Sequence, residues 1–115
     1  MPFIQIKTNV KVNVEDHENF LCDLTNIIAN LTQKPYHLVA VSLIDSATLF
    51  FGGTKDPTYI VNLIATDLTT DIIKTITKEL CTFLKNKLDI EGNRGFIYFF
   101  DFQRSHVGHN GHIFD

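Results

Sequence analysis

Two hydrophobic periods alternate along the chain, and the alternation occurs twice. Phe3 to Thr8 places Ile4, Ile6 and Thr8 on one side, the period-two pattern of a strand. Phe20, Leu21, Leu24, Ile27, Ile28 and Leu31 then recur at helical spacing, with Asn13 or an acidic neighbour available as the cap. Lys34-Pro35 closes that helix, because a residue before proline avoids helical geometry. Leu38 to Ile44 predicts a short strand. The loop after it is marked by Phe51-Gly52-Gly53 and Asp56-Pro57, with a small strand over Thr48–Phe51.

The second round runs from a strand over Thr58–Ala65 to a helix opened by Thr69 or Thr70. Its apolar stripe is Ile72, Ile73, Ile76, Leu80, Phe83, Leu84 and Leu88. Gly92 and Gly95 flank the turn into the most aromatic strand, Phe96–Phe102, and Arg104–Asp115 reads as an irregular tail. Strand–helix–strand twice over is an internal duplication of two similar units. With right-handed crossovers it predicts an α+β fold: a four-stranded mixed sheet carrying both helices on one face.

The last strand turns Phe96, Tyr98, Phe100 and Phe102 to one side and Ile97 and Phe99 to the other. Leu38, Val39, Ala40, Val41 and Leu43 likewise put apolar groups on both faces of their strand. A sheet covered by helices on one side only is expected to be polar on the other. The face without helices is therefore expected to be apolar and buried by further copies of the chain, giving a homo-oligomer joined through its sheets.

At 115 residues the chain fits a single domain, residues 1–115, with enough length for its own core. Net charge is −3, which opposes nucleic acid as the main partner because phosphate binding needs a basic footprint. Cys22 and Cys81 both fall in predicted helices and read as reduced thiols. No apolar run approaches a membrane span and no basic, apolar leader opens the chain, so neither insertion into a membrane nor classical secretion is expected. Asn30-Leu31-Thr32 matches a glycosylation sequon, but it lies inside a predicted helix.

The candidate chemistry begins at residue two. If Met1 is removed, Pro2 becomes a terminal secondary amine, and burial among apolar groups lowers the pKa of such an amine toward neutrality. It could then act as a general base. Elsewhere, His106, His109 and His112 stand three apart, but Gly108 and Gly111 make that stretch a loop, and no cysteine or carboxylate completes a ligand set, so no metal is expected. Arg94-Gly95-Phe96-Ile97-Tyr98-Phe99-Phe100 is similar to the aromatic strand of RNA-recognition folds. That strand is followed by a helix and another strand, whereas here it is the last.

Met1-Pro2-Phe3-Ile4, Thr8-Asn9-Val10, Lys34-Pro35, Phe51-Gly52-Gly53 with Asp56-Pro57, Val107-Gly108, Asn110-Gly111 and Phe114 occur in an order and spacing that resembles the macrophage migration inhibitory factor family of the tautomerase superfamily. The resemblance spans essentially the whole chain. It implies a homotrimer whose sheets form an inner barrel, with the site between neighbouring subunits. It also implies cofactor-free keto–enol tautomerisation of small aromatic keto or enol acids, phenylpyruvate-like or dopachrome-like, and for many members secretion without a signal peptide as a cytokine recognised by a cell-surface receptor. The protein is accordingly expected outside the cell as well as in the cytoplasm.

By position the resemblance makes Pro2 the base and gives Lys34 the substrate carboxylate or carbonyl oxygen; the ordinary alternative for Lys34 is a solvated lysine favouring the helix dipole. The backbone of Thr66 would contact substrate, and Phe96 and Tyr98 would come from the neighbouring subunit. Four departures stand out. Asp67 lies where the family usually has glycine, and facing the pocket it would repel carboxylates and raise the amine's pKa. Phe96 lacks the hydroxyl of a usual tyrosine, and His109 replaces another aromatic, often tryptophan. Thr58-Tyr59-Ile60-Val61 takes the place of a Cys-x-x-Cys seen in some animal members, so no thiol redox activity is expected. The second functional expectation is a signalling ligand whose pocket is vestigial.

Overall fold

The computed structural model describes all residues, 1–115. Strand β1 (Phe3–Thr8), helix α1 (Val14–Thr32) and strand β2 (Ala40–Ile44) form the first unit; β3 (Tyr59–Ala65), α2 (Thr70–Leu88) and β4 (Gly95–Asp101) form the second. The sheet order is β2-β1-β3-β4, parallel within each unit and antiparallel where β1 meets β3. Both helices pack on one face, as the duplicated pattern predicts. Ile4 and Ile6 of β1 and Tyr59, Val61 and Leu63 of β3 meet Phe20, Leu24 and Ile28 of α1 and Ile76, Leu80 and Leu84 of α2. Burial on that scale, about 1.5–3 kcal/mol for each large aliphatic side chain, is what drives the fold.

The helix ends follow local chemistry. Thr69 caps α2 with its side chain, accepting from the Ile72 amide at 3.2 Å. Asn13 stands at the α1 cap position but makes no side-chain cap bond; its carbonyl accepts from the Asp16 amide instead. After α1, Gln33 turns the chain through φ +55 and the helix stops one residue before Lys34.

Three expectations need correction. The strand expected from Leu38 begins only at Ala40, because the Leu38 amide donates to Pro35 and the Val39 amide to Tyr36, closing a 3-10 turn over Tyr36–Leu38 that proline's fixed φ sets up. The small strand over Thr48–Phe51 is reduced to one bridge between Phe51 and Thr54 around Gly52 and Gly53, both at positive φ. The tail is ordered into a hairpin of β5 (Gly108–His109) and β6 (His112–Ile113), whose turn Asn110-Gly111 has positive φ at both residues.

The face without helices also differs from expectation. Strand register places Ser42, Gln5, Asn62 and Tyr98 in one row across it. That polar row lies between the row of Ala40, Phe3, Ile64 and Phe100 and the row of Ile44, Lys7, Ile60 and Phe96. The face is therefore mixed rather than uniformly apolar, because the pleat turns every second residue to it and those include Gln5, Lys7, Ser42 and Asn62. Its apolar part is concentrated along β4, where Phe96, Tyr98, Phe100 and Phe102 are 44–56% exposed.

Two sequence features that looked like recognition motifs are structural. The Asn9 amide nitrogen donates to the carbonyls of Leu49, Lys55 and Asp56, and its oxygen accepts from the Thr58 amide. Arg94 donates to the carbonyls of Phe51, Asp56 and Pro57 and lies over the Phe51 ring. Both side chains pin the central loop. Gly95 lies so close to Tyr59 that an added Cβ would be 2.5 Å from its carbonyl oxygen and 2.7 Å from its ring. The Arg-Gly-Phe run thus serves loop anchoring and strand packing.

Candidate functional site

The start of β1, the end of α1 and the end of β3 meet at one end of the sheet, because β1 and β3 are antiparallel and Phe3 pairs with Ile64. Pro2 is buried there, its carbonyl accepting from the Ala40 amide at 2.9 Å. It lines a cavity of about 330 Å³ with Met1, Phe3, Val107, His109 and Phe114. An adjoining cavity of about 240 Å³ holds Lys34, Thr66, Arg104 and Asp115. The two share Met1, Leu38 and Phe114, so they form one concave surface. A larger groove of about 430 Å³ near Val10, Asn19 and Lys87 contains none of the candidate residues.

The chain's terminal amine lies in this concavity. Burial pulls its pKa below the ordinary value, and the neighbouring Lys34 charge pulls it further; the Asp67 carboxylate acts in the opposite direction. The amine is Met1's, one residue outward from Pro2. Removal of Met1 would leave the basic nitrogen on a residue that is itself buried.

Lys34 is not a free lysine. Its Nζ is 2.8 Å from Asp67 Oδ2. Arg104 holds the same carboxylate, with Nε 3.2 Å from Oδ1 and Nη2 2.9 Å from Oδ2. The Thr66 hydroxyl donates to Oδ2 at 3.2 Å. Hydrogen bonds from Lys34 first and Arg104 second hold the Asp67 carboxyl well below the usual carboxylate range, so it remains ionised at any working pH. Asp67 sits at φ +62, in the left-handed region, which explains why glycine suits this position and why only a short polar side chain replaces it readily. Asp67 is not a lone charge: Lys34, Arg104 and Asp67 together carry +1, and Asp115, in the lining of the same cavity, adds a carboxylate that offsets it.

Arg104 escaped the sequence reading. It reaches Asp67 because β4 pairs with β3 to their ends, the Phe102 amide donates to the Ala65 carbonyl at 2.8 Å, and a 3-10 turn over Arg104–His106 follows. An arginine just beyond the last strand is a signal only once β3 and β4 are known to be parallel neighbours.

Pro2, Lys34 and Thr66 are thus brought together. Phe96 and Tyr98 are not. Register puts Phe100 level with Phe3, so Phe96 lies four residues further along β4, about 13 Å along the strand and two strands away. Within one chain Phe96 packs in tilted contacts against Tyr98 and Phe51, at 6.0 Å and 5.5 Å between ring centroids. His109 stacks on Phe114 at 5.7 Å with an interplanar angle of 13°, so it keeps a flat ring at the mouth of the Pro2 cavity. His109 and His112 are paired across the tail hairpin, and His106 precedes it in the 3-10 turn; no three His, Cys, Asp or Glu side chains gather as a ligand set. Tyr59, in the place of a Cys-x-x-Cys, is a buried core residue.

The sequence model of the macrophage migration inhibitory factor (MIF) family matches residues 1–115. The macrophage migration inhibitory factor of Xenopus laevis is 34% identical over 116 residues, covering 99% of each chain, and that of Rattus norvegicus is 31% identical over 115 residues with the same coverage. Among solved structures, the homologue from Prochlorococcus marinus superposes with a TM-score of 0.91 at 25% identity, covering 98% of this chain and 99% of that one. The factor from Trichinella spiralis gives 0.86 at 27% identity, covering 97% and 99%.

Proposed function

The chain belongs to the macrophage migration inhibitory factor family and has its tautomerase-superfamily fold, and from that premise we propose that it is a cofactor-free keto–enol tautomerase whose base is the Pro2 amine. The observation that carries the proposal is buried Pro2 beside a partly buried chain terminus, whose Met1 amine is depressed by burial and by Lys34, at a cavity lined by an aromatic ring, two cations and Asp115.

In this mechanism a small aromatic α-keto acid binds with its oxygens toward Lys34 and Arg104. The uncharged prolyl nitrogen takes the proton from the carbon next to the ketone; the C–H bond breaks and an N–H bond forms. Negative charge moves to the ketone oxygen, where the Lys34 ammonium stabilises it. The prolyl ammonium then returns the proton to that oxygen, giving the enol. The reverse reaction uses the same groups. A retained Met1 turns the Pro2 nitrogen into an amide with no basic lone pair.

Phe96 and Tyr98 enter the site only from a second copy of the chain, so the mechanism is proposed for a homotrimer. The exposed aromatic strip along β4 supports association through the sheet edges. We further propose that the protein acts outside the cell, recognised by a cell-surface receptor, as well as in the cytoplasm. A purely signalling role with a vestigial pocket is the second reading, favoured by the pairing of Lys34 with Asp67.

Intact-mass measurement joined to a phenylpyruvate assay tests the proposal. Met1-free protein should turn over, and protein retaining Met1, whose Pro2 nitrogen is an amide, should fall by about 10²- to 10⁴-fold, the span of a lost general base. Undetectable turnover by Met1-free protein overturns the enzyme reading in favour of the signalling one.

A further inference from the structure

The Asp67 carboxylate holds three of the donors that line the cavity, Lys34, Thr66 and Arg104, although Asp67 itself is not among the lining residues. Its Oδ2 accepts from Lys34 Nζ at 2.8 Å, Arg104 Nε at 3.0 Å and Thr66 Oγ1 at 3.2 Å, with Arg104 Nη2 in ionic contact at 2.9 Å, while Oδ1 accepts from the same Nε at 3.2 Å. One ammonium, one guanidinium edge and one hydroxyl converge on a single carboxylate. Removing that carboxylate leaves a two-cation cradle in the wall of the cavity bounded by Met1 and Phe114. Arginine's planar fork is suited to a carboxylate in a way that lysine's point charge is not.

We propose that Asp67 is a built-in competitor for the carboxylate of an aromatic acid, and that Arg104 is the second cation of the carboxylate-binding cradle, a specificity-determining residue that works with Lys34. The proposal rests on the reading of the Pro2 cavity as a binding site for such acids. The exchange is physically accessible because the pairs are not deeply buried: the side chains of Asp67 and Arg104 are 42% and 57% exposed. Ion pairs of that exposure are weak. Breaking two of them to admit a ligand corresponds to a penalty of about twofold to thirtyfold in affinity. The bound carboxylate inherits the same donors, so the native site accepts aromatic acids but holds them below the affinity the two cations alone would give. The φ of +62 at residue 67 is compatible with asparagine and glycine, so the competitor can be removed without forcing the backbone.

The test is equilibrium binding of phenylacetate, which has a carboxylate and an aromatic ring but no ketone to tautomerise, measured by NMR titration of Met1-free protein, with methyl phenylacetate as the uncharged control. Asp67→Asn and Asp67→Gly should each tighten phenylacetate by about twofold to thirtyfold and leave the ester unchanged. Arg104→Gln should abolish most of that gain when added to Asp67→Asn, while changing the native protein much less, because there the arginine is occupied by Asp67. In turnover, Asp67→Asn should lower KM for phenylpyruvate with a smaller change in kcat. Phenylacetate binding that Lys34→Ala weakens but that both Asp67 variants leave within twofold overturns this inference alone. An equal gain for acid and ester overturns it too, since that would mean a larger cavity and not a released charge. Absence of phenylacetate binding in every form overturns the underlying reading of the cavity together with it.

Discussion

Lys34→Ala tests the site through the side chain whose situation the structure changes most. A charge-assisted hydrogen bond to a substrate oxygen contributes about 1.5–3 kcal/mol. In this protein the ammonium already holds Asp67 at 2.8 Å, and that partly exposed pair, worth about 0.2–1 kcal/mol, must be shared or broken when substrate arrives. The net contact is therefore about 0.5–2.8 kcal/mol, which is about 2- to 100-fold in KM. Arg104 stands beside the same carboxylate and compensates in part, so an increase of about tenfold is expected. The same substitution has a second, independent signature. After burial, Lys34 is the one charged group that lowers the Met1 amine's pKa, and the same charge beside a freed Pro2 amine acts in the same direction, so its loss should let that pKa rise. Less of the amine is then uncharged at a given pH, and the acid limb of kcat/KM moves to higher pH. Asp67→Asn removes the opposing influence and moves the limb the other way. Initial rates with phenylpyruvate from about pH 5 to 9, on protein shown by mass to lack Met1, measure both quantities. A KM within twofold of the native value and an unmoved acid limb would together assign Lys34 to a plain ion pair at the helix end and refute the site.

Two further predictions concern the fold that holds the site. Gly95→Ala would place a methyl 2.5 Å from the Tyr59 carbonyl oxygen and against its ring, neither of which can move without parting β3 from β4. Denaturant unfolding at fixed protein concentration should show a loss of about 3 kcal/mol, the upper end of overpacking costs, and a loss under about 1 kcal/mol would mean the strands yield. Asn9→Ala would strand the amide of fully buried Thr58 and free the part-buried Leu49 carbonyl, while the freed carbonyls of Lys55 and Asp56 are exposed and can turn to water. A destabilisation of about 1–3 kcal/mol is expected from that single buried donor, and unchanged stability would show that the central loop is held by Arg94 alone.

The two strand–helix–strand units, the helix faces and the buried positions Ile4, Ile6 and Thr8 were legible in the sequence because each depends on a residue's own period within its own element. So was the candidate base, since Pro2 owes its chemistry to its place next to the chain end. The start of β2 was misjudged because apolar Leu38 and Val39 look like strand residues, and only the hydrogen bonds to Pro35 and Tyr36 show the turn that precedes it. The face without helices was misjudged because apolar residues along two strands were taken for the whole face, whereas Gln5, Lys7 and Asn62 on the two middle strands interrupt it.

What the sequence determined by itself is therefore the local periodicity, and with it the number, type and order of the main elements. The charge balance of the site was decided only in three dimensions. Lys34, Asp67 and Arg104 are separated by 33 and 37 residues along the chain, and they meet because β1 lies against β3, β3 against β4, and the Phe102 amide carries the tail across the end of β3. An ion pair acts across space and leaves no period in the residues that form it, so Asp67 alone reads as an obstacle to an acidic ligand, while in the fold it is a carboxylate held between two cations.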